Sequence, residues 1–205
     1  MASRKNEKQL SSGTKDLRIL LIDENTHRAD LVTAALGDSR YAISHLASPS
    51  GTLLKQVDQL QPDIIVIDIE SPSRDILESL NTIKNINPKP VVMFSSEQDT
   101  DTINQSIESG VSAYVVGDLE PHRVKPILDA AVARFREYQK LKTELSETKQ
   151  QLSSRKNIDH AKRILMKNRN ISEEQAFQTM RKTAMDTGQK LDDVAKTIIS
   201  MFNTL

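Results

Sequence analysis

The chain has no cysteine and no tryptophan, and aromatic residues make up 3% of its 205 positions. Without thiols there can be neither a disulfide framework nor a thiolate metal site, which fits a reducing, cytoplasmic setting. With four Phe and three Tyr, any core must be built from aliphatic side chains. At this length, two modest cores are expected rather than one large one. No apolar run reaches the roughly 18 residues of a membrane span. The segment from Met1 to Lys15 carries Arg4, Lys5 and Lys8 but lacks the apolar centre of a secretory signal, and reads as a flexible tail over residues 1–15. A formal net charge of zero argues against a protein that coats nucleic acid indiscriminately.

That zero hides an asymmetry. Residues 1–128 hold 13 Lys+Arg against 18 Asp+Glu, a net of −5, whereas residues 129–205 hold 15 against 10, a net of +5. The halves also differ in pattern. Leu17 to Ile22 and Ile64 to Ile69 are short, continuous, β-branched runs of the kind buried on both faces of a sheet, and Pro90 to Phe94, Ser112 to Val116 and Ala42 to Leu46 supply three more. Helical patterns separate them at Arg28 to Leu36, Gly51 to Leu60, Arg74 to Ile86 and Asp101 to Ser109. Parallel neighbours need a helical crossover, so the alternation predicts an α/β, doubly wound, five-stranded parallel domain over residues 16–128.

After Pro126 no Gly or Pro appears from Ile127 through Thr187, and helix formers dominate. Leu128, Ala131, Phe135, Tyr138, Leu141, Leu145, Thr148 and Leu152 recur at spacings of three and four, a narrow seam on a long helix. Such a seam over residues 129–153 fits a parallel coiled coil between two copies, or a helix folded back on its own chain. The all-α remainder, 154–205, reads as a three-helix bundle: the long helix continuing to about Lys167, a second opened by a Ser172/Gln175 capping box with Ile171 stapled to Ala176 and closed by Gly188, and a third from about Leu191. Ile158, Ala161, Leu165, Phe177, Met180, Ala184, Leu191, Val194, Ile198 and Phe202 are its expected core.

In a doubly wound sheet, ligands gather at the carboxyl ends of the strands. Asp23 and Glu24 follow the first strand and Asp68 ends the third. Three converging carboxylates repel unless a cation intervenes, and their hard oxygens suit Mg²⁺. These residues resemble the acidic site of response-regulator receiver domains. The resemblance implies that Asp23, Glu24 and Asp68 bind the metal, that Asp68 is the phosphoacceptor, and that Ser95 and Tyr114 are the switch residues. One position departs from the family: Gly117 stands where the phosphate-pairing lysine belongs, which weakens both phosphorylation and its coupling to conformation.

The second half is basic where the first is acidic. Arg155, Lys156, Lys162, Arg163, Lys167 and Arg169 set six positive charges against Asp159 alone within fifteen residues. Lys156, His160, Arg163 and Lys167 share one helix face, and Arg181 and Lys182 extend the charge on the next helix. A stripe of this kind can track phosphates. The Ala161-Lys162, Leu165-Met166, Ser172-Glu173, Ala176-Phe177, Arg181 and Ala184-Met185 steps, in that order, resemble the ANTAR domain. The resemblance implies binding of hairpins in messenger leaders so that a terminator does not form. The whole arrangement is similar to nitrate-assimilation antiterminators of the NasT type. It implies a homodimer through the coil and a sensor kinase or a ligand-binding inhibitory protein as regulator, with no small-molecule substrate. A response regulator with a DNA-binding or protein-docking output is the alternative, and a phosphotransfer intermediate a third. His27, His45, His122 and His160 show no ligand spacing, and nothing indicates a turnover enzyme.

Overall fold

The structure, a computed structural model, describes residues 17–37, 41–48 and 53–203. The expected amino-terminal tail lies outside them. The described chain separates into two compact units, 1–138 and 139–205.

The first unit alternates strand and helix: β1 (Leu17–Asp23), α1 (Thr26–Leu36), β2 (Tyr41–Leu46), α2 (Leu53–Leu60), β3 (Ile64–Ile69), α3 (Arg74–Ile86), β4 (Val91–Ser95), α4 (Thr100–Glu108) and β5 (Ala113–Val116), followed by the start of α5 (Pro121–Arg169). All strands are parallel, in the order β2-β1-β3-β4-β5. The period-two alternation of side chains sorts the central strands between two cores. Ile19, Leu21, Val66, Val92 and Phe94 face Ala29, Val32 and Leu36 of α1 and Val124, Leu128 and Ala131 of α5. Leu20, Ile22, Ile65, Ile67 and Met93 face Leu53 and Val57 of α2 and Ile76, Leu80 and Ile83 of α3. The aliphatic runs of β1, β3 and β4 are thus buried on both sides, while the edge strands β2 and β5 are only partly covered.

The long helix starts five residues before Pro126, which lies inside it. An interior proline forfeits a hydrogen bond and crowds the preceding turn, at a cost of about 3 kcal/mol. Val124, Leu128 and Ala131 are each at most 1% exposed against the sheet, and burial of this order offsets that cost. The composition change at Pro126 thus falls inside the helix and ahead of the point where it leaves the sheet core, since Leu128 and Ala131 beyond it are still buried there.

The second unit contains the rest of α5, α6 (Glu173–Thr187) and α7 (Leu191–Asn203). Ser172 and Gln175 form a reciprocal capping box at the start of α6. Gly188 closes it in the left-handed region at φ 65°, and the Gln189 amide donates to the Ala184 carbonyl at 3.0 Å. The core consists of Ala161, Leu165, Ala176, Met180, Ala184, Val194 and Ala195, with Ile158, Met166, Ile171, Leu191, Ile198 and Ile199 packed around it. Two expected members differ. Phe202 is 37% exposed and Phe177 is only half-buried outside this cluster. Ala161, Ala176 and Ala195, all fully buried, let the three helices approach too closely to admit a ring. Among the described residues, no helix is long and apolar enough to cross a membrane.

Candidate functional site

The strand order reverses direction between β1 and β3, and the crevice opens at their carboxyl ends. Asp23 and Asp68 are direct register partners there, so the parallel pairing itself sets two carboxylates side by side. Asp23 is fully buried and Asp68 is 5% exposed. Two such charges demand a cation.

The cation is Arg28, on the first turn of α1. Its Nε donates to Asp23 Oδ2 at 2.9 Å and its Nη2 to Asp23 Oδ1 at 2.9 Å, a two-pronged fork. The same Nη2 lies 3.0 Å from Asp68 Oδ2, and Nη1 lies 3.8 Å from Asp118 Oδ1. The contact with Asp68 is one of charge without hydrogen-bond alignment, because Asp68 Oδ2 is buried with no hydrogen-bond partner among the described residues. Local capping aims the side chain. Asn25 is the N-cap of α1, its side chain accepting from the Arg28 amide at 3.1 Å, while its own amide donates to Asp23 Oδ1 at 2.8 Å.

Burial pushes the Asp68 carboxyl up to about 6, against the pull of the Arg28 charge and with the repulsion of Asp23. The hydrogen bond to Asp23 raises the Arg28 guanidinium above its ordinary value. Glu24, expected as the third acid, is exposed. Among the described residues, no group of three acids or histidines is placed to hold a metal ion. Both oxygens of Asp23 are already committed to Arg28, so the donor set does not fit Mg²⁺ as it stands.

Ser95 and Tyr114 meet at one residue. The Ser95 hydroxyl, 1% exposed, donates to the Glu70 carbonyl at 2.7 Å and accepts from the Glu97 amide at 3.2 Å. The Tyr114 hydroxyl donates to the Glu97 carbonyl at 3.1 Å. Gly117 has φ +106°, and a Cβ at this position would meet no atom within 4 Å, so any side chain there faces backbone strain and not a clash. A lysine at this position is disfavoured by the turn itself. Arg28, Asn25 and Asp118 were not evident as site residues from the sequence. Arg28 read as the start of an amphipathic helix, and the signal that finds it is an acidic pair lacking the Gly117 lysine, with a cation one turn downstream.

In the second unit Arg155, Lys156, His160, Arg163, Lys167 and Arg169 are exposed on α5, and Arg181 and Lys182 on α6. Arg163 Nε donates to the Asp159 carbonyl of its own helix. Lys162 differs: its side chain is 16% exposed and bridges Asp159 at 2.9 Å and Glu173 at 2.7 Å, tying α5 to the first turn of α6. The Glu173 contact first, then Asp159, raises its pKa. Half-buried Phe177 and exposed Met185 flank Arg181 along an open recess that ends at Gly188 and Leu191.

Residues 19–129 match the response regulator receiver domain, more than half of the chain, and residues 146–199 match the ANTAR domain. The chain is a response regulator of the receiver-plus-ANTAR class. Chains of this class are transcriptional regulators and not enzymes. The transcriptional regulatory protein PdtaR of Mycobacterium tuberculosis is 26% identical over 188 residues, spanning 91% of both chains. The DNA-binding response regulator MtrA of Mycolicibacterium smegmatis is 25% identical over 119 residues, 58% of this chain and 50% of its own. Among solved structures, the CheY-like receiver of Methanospirillum hungatei superposes with a TM-score of 0.52 at 18% identity over 60% of this chain and 98% of its own. The receiver of a diguanylate cyclase from Desulfovibrio desulfuricans gives 0.50 at 17% over 60% and 99%. At these identities the structural likeness establishes the receiver fold alone.

The folded receiver holds the Asp68 proton more tightly than the unfolded chain, whose carboxyl titrates near 3.8. Ionising Asp68 therefore costs stability as the pH rises from about 4 through about 6, and the cost is level above that. Asp68→Asn is expected to stabilise the receiver by about 1 to 3 kcal/mol near neutral pH, with the gain vanishing towards about pH 4. Paired denaturant melts across that range check it.

Proposed function

We propose that this response regulator is an RNA-binding transcription antiterminator that grips hairpins in messenger leaders as a dimer and prevents terminator formation. The observation that carries the reading is the exposed face Lys156, His160, Arg163 and Lys167 on a helix of a matched ANTAR domain, with Arg155, Arg169, Arg181 and Lys182 also in solvent. Cations free of the core can neutralise phosphates and release counterions. Phe177 and Met185 beside Arg181 offer a small apolar platform for an unpaired loop base, so shape, phosphates and a few bases are read together. Lys162, half-buried between Asp159 and Glu173, supports the reading differently, by fixing the angle at which α6 presents Arg181 and Lys182.

Dimerisation through α5 has its own support. Every position from 140 to 153 is exposed, and Leu141, Leu145 and Leu152 are each 55% exposed. An apolar seam left open on such a stretch is what a second copy would cover. The receiver half, phosphorylated on Asp68 by a sensor kinase or held by a ligand-binding inhibitory protein, sets whether the ANTAR half is available. The absence of a lysine at Gly117 favours the inhibitory protein. A leader of nitrate-assimilation genes is the proposed target, on the resemblance to the NasT type, and the cytoplasm is the setting in which it would be met.

The alternative of a DNA-binding output draws on the MtrA likeness, but that likeness spans about half of each chain, and α6 opens with Glu173 and Glu174. Two acids at the leading end of a recognition helix would face a phosphate-lined groove.

Arg163→Glu and Lys167→Glu together are expected to reduce affinity for a leader hairpin by at least about 100-fold while leaving the melting temperature unchanged, since neither side chain is in the core. Binding by the parent chain should fall steeply with salt. Unchanged affinity in a filter-binding or mobility-shift titration would remove the stripe from the interface.

Leu145→Asp, at the centre of the seam, is expected to convert a dimer to a monomer in analytical ultracentrifugation with the receiver still folded. A parent chain that sediments as a monomer at all concentrations would rule the coil out.

A further inference from the structure

We infer that Arg28 is the resident cation of the receiver pocket, standing in place of a divalent metal, so that the receiver holds its acidic site together without Mg²⁺. The inference is independent of what the ANTAR half binds.

Its basis is geometric. One nitrogen, Nη2, lies 2.9 Å from Asp23 Oδ1 and 3.0 Å from Asp68 Oδ2, which is the bridging position a metal would take between register-paired carboxylates. Nε closes the fork on Asp23 Oδ2 at 2.9 Å, and the Asn25 amide takes a further position on Oδ1 at 2.8 Å. Three of the roughly four acceptor positions of the Asp23 carboxylate are therefore taken, and both of its oxygens are engaged by Arg28. On the opposite rim the positive φ of Gly117 withholds a lysine, and its neighbour Asp118 adds an acid whose Oδ1 is 3.8 Å from Nη1. Arg28 therefore meets from α1 a charge demand that nothing on the β5 side supplies among the described residues. A surface ion pair would not read this way: the guanidinium side chain is 27% exposed, whereas the Asp23 and Asp68 side chains are 0% and 6%.

Exclusivity follows. A metal can use Asp23 only if the guanidinium leaves, and a planar, permanently charged fork that is hydrogen-bonded at both prongs leaves reluctantly. Divalent affinity is lowered by the fraction of time the pocket stands without Arg28. The remaining unsatisfied atom, Asp68 Oδ2, is where a second cation or a phosphodonor would first make contact.

The test is calorimetric titration of magnesium chloride into the full chain and its Arg28→Gln variant, with thermal melts of both. The parent chain is expected to show no saturable binding at millimolar Mg²⁺ and an unchanged melting temperature. Arg28→Gln should bind Mg²⁺ at least about tenfold more tightly, and melt lower by on the order of 10 °C without metal and recover with it. Saturable submillimolar binding to the parent chain, or a variant that binds no more tightly than the parent, would overturn the assignment. If Arg28→Gln does not fold, the parent titration decides alone, since an absent heat supports the resident cation and a saturable one refutes it. Arg28→Lys, which keeps a charge but not the fork, should fall between the two.

Discussion

Two buried carboxylates held side by side by strand pairing form the constraint around which the receiver half is arranged. Asp23 and Asp68 are neighbours because β1 and β3 are parallel partners at the reversal of strand order, and the sheet cannot form without bringing them together. The cost of two adjacent charges away from water is several kcal/mol unless a cation with good geometry accompanies them. Arg28 is that cation, and its placement follows from the Asn25 cap that starts α1. The chemistry of the pocket is thus set by one helix start.

The same pocket bears on how the protein is controlled. Ser95 and Tyr114, expected as switch residues, both hold Glu97, one through its amide and one through its carbonyl. A change at Ser95 would be felt at Tyr114 through a single residue. With Gly117 lacking a side chain, the route from a modified Asp68 to that clamp is deprived of a charge that would pull on it.

Much of this was legible in the sequence, for identifiable reasons. The strands are short, largely apolar runs bounded by turns, richest in Ile, Val and Leu in β1 and β3, and the structure places each within one or two residues of its expected limits. The capping box at Ser172 and the closing Gly188 are local signals, and both are present. The failures are tertiary. That α5 already runs through Pro126 was not legible, because the proline's cost is local whereas the compensation, burial of Val124 and Leu128 against strands far away in sequence, is not. Phe177 and Phe202 read as core because rings usually are, yet a bundle packed through alanines has no room for them. Arg28 read only as the start of an amphipathic helix because the acids it serves come together only when the sheet forms. Lys162, one charge in a basic run, is taken up in an ion pair by an acid eleven residues away.

The proposed control of the ANTAR half by a protein partner of the receiver, without phosphate on Asp68, has one direct test. The direct measurement is leader-hairpin affinity of the full parent chain and of Asp68→Asn, each before and after incubation with a small phosphodonor. Four indistinguishable affinities are expected. A phosphodonor that changes the affinity of the parent and leaves Asp68→Asn unmoved would contradict the claim.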